Sequence, residues 1–131
     1  MPAYRYARIR NQTRNTSLAE RCRIAATPLR RIFGLHLLPE LTASEALLLR
    51  GTSSMDTLFM RYPIDVAFLD RAGRVRRVVH RMPPWRMVPW SRGARDCLEL
   101  PAGTLETSGT LPGDQLRVEE LDATDGPRSQ T

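Results

Sequence analysis

The stretch that most constrains this chain is MRYPIDVAFLDRAGRVRRVV, residues 60 to 79. Pro63 has no amide hydrogen to give a sheet ladder, so a strand here starts after it. Val66 to Leu69 is apolar at both alternating positions, the pattern of a strand covered on both faces. Asp70-Arg71-Ala72-Gly73 is turn chemistry: Asp opens the turn and Gly takes the positive φ that closes it. Arg74 to His80 returns as the partner strand. Val75 and Val79 share a parity that Val78 does not, which predicts a bulge near Arg76-Arg77. The stretch reads as a β-hairpin and mostly scaffold, with Met60 to Asp65 the part that reads as a site.

More short elements flank the hairpin. Residues 1 to 16 are polar and Arg-rich, an arm or an edge strand. Leu18, Cys22 and Ile24 fall on one parity and make residues 17 to 26 a strand. TPLRRIFGLHLL starts a helix: Thr27 caps it, Pro28 takes the first turn, and Leu29, Ile32, Phe33 and Leu37 form one face, which Gly34 weakens. EALLLRG (45 to 51) and MDTLFM (55 to 60) are short strands. RMPPWRMVPW (81 to 90) has too many prolines for a helix and is an extended loop. ARDCLELP (94 to 101) is a strand. TLETSG is a one-turn helix with Thr104 as its cap, Glu106 in its first turn and Gly109 at its end. LPGD (111 to 114) is a type II turn and QLRVEEL a half-exposed strand. Residues 122 to 131 read as a disordered tail behind a single domain over 17 to 121. The fold class is α+β: a largely antiparallel, curled or barrel-like sheet with one or two short helices.

At 131 residues the chain is long enough for one domain with a real core. Its net charge is +6, and all 20 of its basic residues are Arg. That balance favours an acidic partner such as nucleic acid, although the arginines are scattered rather than blocked. Two distant cysteines, Cys22 and Cys97, do not make a disulfide framework. No apolar run follows the charged N-terminus and no stretch reaches the length of a membrane span, so a soluble, reduced, cytoplasmic protein with no membrane partner is expected.

The segments FGLHLLPELTASEALLL, MRYPIDVAFLDRAGRV, PPW, LELPAGT and LPGDQL, in that order, resemble the small bacterial and archaeal family called domain of unknown function 192. The likeness covers residues 17 to 120 and is most specific over Met60 to Val75 and Leu98 to Thr104. It implies a compact, strand-rich α+β domain and no particular activity. The chain departs from the family in two places. Leu38 and Pro39 stand where members often carry Arg, and Asp56 stands where similar members carry His. Any metal or acid/base role of that His would be altered or lost with Asp56.

The candidate chemistry is sparse. Asp56 and Asp65 flank Met60-Arg61 and could pair for acid/base work or to hold a cation, but Asp65 is better read as bonding strand-start amides or pairing with Arg61. Cys22, Cys97, His36 and His80 lack the close ligand pairs of a zinc site, and Cys97 lacks a nucleophile motif, so both cysteines read as small hydrophobes. Trp85-Arg86, Trp90, Arg92 and Arg95 interleave rings and charges as single-strand binders do, but tryptophans plugging the core are the preferred reading. Gly103-Thr104 reads as an ordinary helix start, and the methionines as gap-fillers. These features favour a non-enzymatic module that binds a small ligand or a protein beside Met60, Arg61, Asp65, Trp85 and Arg86. The alternatives are a nucleic-acid accessory protein using the Arg/Trp loop, and an enzyme using Asp56 or Asp65. No cofactor and no metal are expected.

Overall fold

Every residue of Ile64–Leu69 is buried, and this strand lies inside the sheet. In the computed structural model, which describes residues 5–25 and 40–121, the elements are β1 (Arg5–Asn11), β2 (Thr16–Ala25), β3 (Glu45–Leu49), β4 (Met55–Asp56), β5 (Ile64–Leu69), β6 (Val75–Met82), β7 (Met87–Val88), β8 (Asp96–Pro101), α1 (Thr104–Ser108) and β9 (Leu116–Glu120). Seven strands form one sheet in the order β6-β5-β8-β3-β2-β1-β9, and β4 and β7 pair separately. Only β2 and β3 run parallel; the other paired neighbours are antiparallel. The Arg-rich start supplies β1, which is paired on both sides, by β2 and by β9. The expected helix over 27 to 38 and the expected tail lie outside the described residues.

The sheet curls into a half-barrel. Its two outermost strands meet at one corner, where Arg74 bridges Gln115. There Val75 N–H donates to the Asp114 carbonyl (2.8 Å), Gly113 N–H to Val75 (2.8 Å) and Leu116 N–H to Gly73 (3.0 Å). Residue alternation then sorts the core into two clusters. Ile9, Leu18, Cys22, Leu48, Leu69, Leu98, Leu100 and Leu116 fill the inside of the curl with Leu105 of α1. Leu47, Leu49, Val66, Phe68 and Cys97 point outward and are covered by Met55, Met60, Met82 and Val88. β3, β5 and β8 therefore carry apolar residues at both parities, because both of their faces are covered.

The bulge expected near Arg76-Arg77 is present: Phe68 pairs with Arg77 but Leu69 with Val75, leaving Arg76 over. The described residues form a sheet-dominated fold with one short helix, so the α+β label is too even-handed. The reason is that the described residues form nine strands and only the single turn of α1, even though MDTLFM is strand over Met55–Asp56 alone. The helix also corrects the expected cap. Gly103, at φ 97°, is the N-cap position, and no side chain of its own caps it. Gly109 ends the helix at φ 70°, as expected. No helix among the described residues is long and apolar enough to cross a membrane.

Candidate functional site

Asp65 supplies the missing cap. Its Oδ2 accepts N–H bonds from Gly103 (3.1 Å) and Leu105 (2.8 Å), and its Oδ1 accepts from Arg81 (2.8 Å). The carboxylate is wholly buried. β6 makes room for this. Ile64 pairs with Met82 and Val66 with Val79, so His80 and Arg81 stand opposite Asp65 alone, with Arg81 at φ 45°. Asp65 thus holds a helix and a bulge in place. Met60 is buried in the outer cluster and Arg61 is exposed. Of the five suspected residues, only Arg61, Trp85 and Arg86 reach the surface together.

β4 and β7 form a flap, with Met55 opposite Val88 and Asp56 opposite Met87. Buried Thr57 is its fastener, a role its sequence context does not announce. Thr57 N–H donates to the Arg86 carbonyl (2.8 Å) and Trp85 N–H to the Thr57 carbonyl (2.9 Å). The Thr57 hydroxyl donates to the Pro83 carbonyl (2.6 Å) and accepts from Arg86 N–H (3.0 Å). The fastening holds two bulky residues, Phe59 at φ 67° and Trp85 at φ 65°, in the left-handed region that such side chains avoid. Their rings meet at 4.7 Å with a tilt of 59°. Phe59, Trp85, Met87 and Trp90 are 74%, 56%, 61% and 62% exposed. The expectation that the tryptophans plug the core is therefore wrong. Phe68, the buried leucines and Met55, Met60 and Met82 already fill the two clusters, Met87 being no gap-filler, and the turn at Thr57 turns the aromatic rings outward. Arg61, Arg86 and Arg92 are exposed on the same loops.

Beneath the flap lies a residue that the sequence reading passed over. Glu99 of β8 sits in register with Leu47 and Val66 on the outer face, and is only 4% exposed. Its Oε2 has no hydrogen-bond partner among the described residues. Burial, and then the nearby Asp56 carboxylate, push its pKa up to about 8. Tyr62 packs on the same cluster with its hydroxyl also unpartnered among the described residues. Its pKa is raised by burial, then by Glu40 and Glu99. The signal was parity: Glu99 shares a face with Cys97, which has to be covered if β8 is. Asp56 and Asp65, paired in the sequence reading, lie over opposite faces of the sheet. The carboxylate that Asp56 influences is Glu99.

The sequence profile of the domain of unknown function 192 family, described as an uncharacterized ACR, matches residues 9–118. The chain belongs to this family. A UPF0127 protein of Thermococcus sibiricus is 33% identical over 118 residues, covering 84% of this chain and 75% of its own. Two crystal structures share the fold of this family member. One, from Sinorhizobium meliloti and described as a candidate transcription regulator, superposes with a TM-score of 0.75 at 23% identity, covering 90% of this chain and 97% of its own. The other, a protein of unknown function from Novosphingobium aromaticivorans, gives a TM-score of 0.72 at 19% identity, covering 86% and 83%.

In this DUF192 chain both cysteines are buried free thiols. They belong to clusters on opposite faces of the sheet, which keeps them from pairing. Burial raises both, Cys22 to about 12, so neither holds a thiolate at neutral pH. No group of three metal-binding side chains occurs among the described residues, where His80 is exposed; His36 lies outside them. An open groove of about 640 Å³ runs beside α1, where Arg81 is already paired with Glu106 (3.1 Å).

Proposed function

We propose that this family member is a non-catalytic binding module whose flap docks a partner protein. The observation that carries this reading is the exposure of Phe59, Trp85, Met87 and Trp90 on one small flap. Monomeric domains rarely leave so many large apolar side chains in water without a use. Trp, Phe, Met and Arg are the residues enriched at the centres of protein interfaces. The arginines around the patch favour an acidic partner surface. The backbone strain at Phe59 and Trp85 supports the same view, since strain of this kind collects where a surface is used. The test is co-purification from the native cells after nuclease treatment, comparing the wild type with a Trp85→Ala/Trp90→Ala variant. A protein held by the wild type and reduced at least tenfold by the variant is expected. Equal retention of the same proteins by both would overturn the reading.

A second reading, single-stranded nucleic acid, is favoured by the net charge of +6 and by Arg86 and Arg92 beside exposed rings. The description of the Sinorhizobium meliloti relative as a candidate transcription regulator accords with it. Phe59 and Trp85 argue for protein instead, because their tilted contact makes a knob rather than a row of open faces for bases. Retention that vanishes with nuclease and falls steeply with salt would select nucleic acid.

A further inference from the structure

We infer that Arg76 and the turn over residues 91–94, flanked by Arg92 and Arg95, form a binding site for a phosphate monoester. The site shares only Arg92 with the rim of the aromatic surface, and it stands whether or not the flap docks a protein. Two separate segments are pinned there to one residue. Leu69 at the end of β5 pairs with Val75, and its carbonyl accepts the Arg95 N–H (2.6 Å). Arg76 is the residue that the bulge leaves over, and bulges re-aim side chains in this way. Its guanidinium lies against Gly93: a Cβ added to that glycine would stand 3.0 Å from Nε and 3.2 Å from Nη2. Gly93, at φ 77°, both turns the chain and leaves the guanidinium its room.

The positive charge at this corner has no counter-charge. On β1 and β2, Arg5, Arg8 and Arg21 have the carboxylates of Glu120, Glu20 and Glu45 as partners. Arg76, Arg92 and Arg95 are exposed, and their side chains have no ion pair or hydrogen bond among the described residues. The acids next to these segments are engaged elsewhere. Asp70 Oδ1 accepts the N–H groups of Ala72 and Arg74 (2.9 Å each). Asp96 accepts from Gly51 N–H (2.9 Å) and from Arg50 (3.3 Å). The turn adds neutral donors. Ala94 N–H closes it on the Ser91 carbonyl (3.0 Å), and the N–H groups of Arg92 and Gly93 have no acceptor among the described residues.

Charge and shape select the ligand. Three uncompensated guanidinium groups call for more than one negative charge, and a carboxylate brings one. A phosphate monoester brings close to two at neutral pH, with three terminal oxygens that accept charge-assisted bonds. A phosphodiester chain brings one charge per phosphate and fits a groove of cations that tracks its length, whereas these are gathered at one corner.

The experiment follows the amide resonances of the intact, isotope-labelled protein at pH 7. The titrants are inorganic phosphate, glycerol phosphate, a short phosphoserine peptide, its unmodified serine form, and a thymidine oligonucleotide without terminal phosphates. We expect saturable shifts centred on the Arg92 and Gly93 amides with each of the first three, and none with the serine peptide. Arg76→Gln should weaken phosphate binding about tenfold, the loss of one charge-assisted contact. Arg8→Gln removes the same charge from β1 and should leave binding within about twofold. A phosphoserine peptide held about tenfold more tightly than glycerol phosphate would assign the site to a modified partner protein, and equal affinities would assign it to free phosphate esters; both support the site. No saturable shift at Arg92 and Gly93, undiminished binding to Arg76→Gln, equal weakening by Arg8→Gln, or tighter binding of the oligonucleotide than of every monoester would each overturn the proposal.

Discussion

Asp65 and Glu99 are both buried carboxylic side chains on neighbouring strands, and their surroundings give them opposite roles. Asp65 receives three backbone N–H bonds from two remote segments. Asp65→Ala leaves those donors buried and unpaired, so we expect a loss of about 3 kcal/mol in urea denaturation. Asp65→Asn, which keeps one acceptor oxygen, should lose less. Glu99 works the other way. The folded protein holds its proton up to about pH 8, whereas the ordinary value is 4.5. The folded state therefore binds more protons between those values, and the stability it has below pH 4.5 declines as pH rises, levelling off above about pH 8. Glu99→Gln cannot ionise. Its stability relative to wild type should rise between pH 5 and pH 9, by an amount on the order of 3 kcal/mol, read from urea midpoints. Only part of this contrast was legible in the sequence. Asp65 was expected to bond amides at the start of its own strand, but the amides it meets are those of Arg81, Gly103 and Leu105, far along the chain, and no local pattern points to them. Glu99 was missed because LEL looks like a strand with one wet face.

Among the elements, those with a strong local pattern were the readable ones. The β5–β6 hairpin, its bulge and the turn at Gly73 follow from parity and turn chemistry. Gly73 has a second constraint that no local reading shows. It sits at φ +84°, and an added Cβ would lie 2.9 Å from the carbonyl oxygen of Leu116. Gly113 has a similar φ of +96° with nothing within 4 Å. Gly113→Ala should therefore cost only the left-handed backbone penalty, about 1 kcal/mol, while Gly73→Ala should cost about 2–3 kcal/mol because strands must also shift. Thermal denaturation of the two variants side by side measures the difference. The flap was unreadable for the opposite reason. Its strands are two residues each, too short for any periodicity, and a lone threonine fastens it through backbone groups. The tryptophans went outward although their composition suggested a core role.

For the molecule as a whole, the strand-rich, mostly antiparallel and curled character was legible, as was the family. The strand order was not, because it depends on contacts between distant segments: β2 lies parallel to β3, and β1 joins β9. That last pairing has a consequence in time. As the chain is made, β1 and β2 emerge together and pair at once. The other side of β1 has no neighbour until Leu116–Glu120 arrive. Throughout most of synthesis the nascent chain carries a bare strand edge, open to pairing with the wrong chain. The corner between Gly73 and Leu116 can form only after that, so the half-barrel gains its shape at the end of its own synthesis.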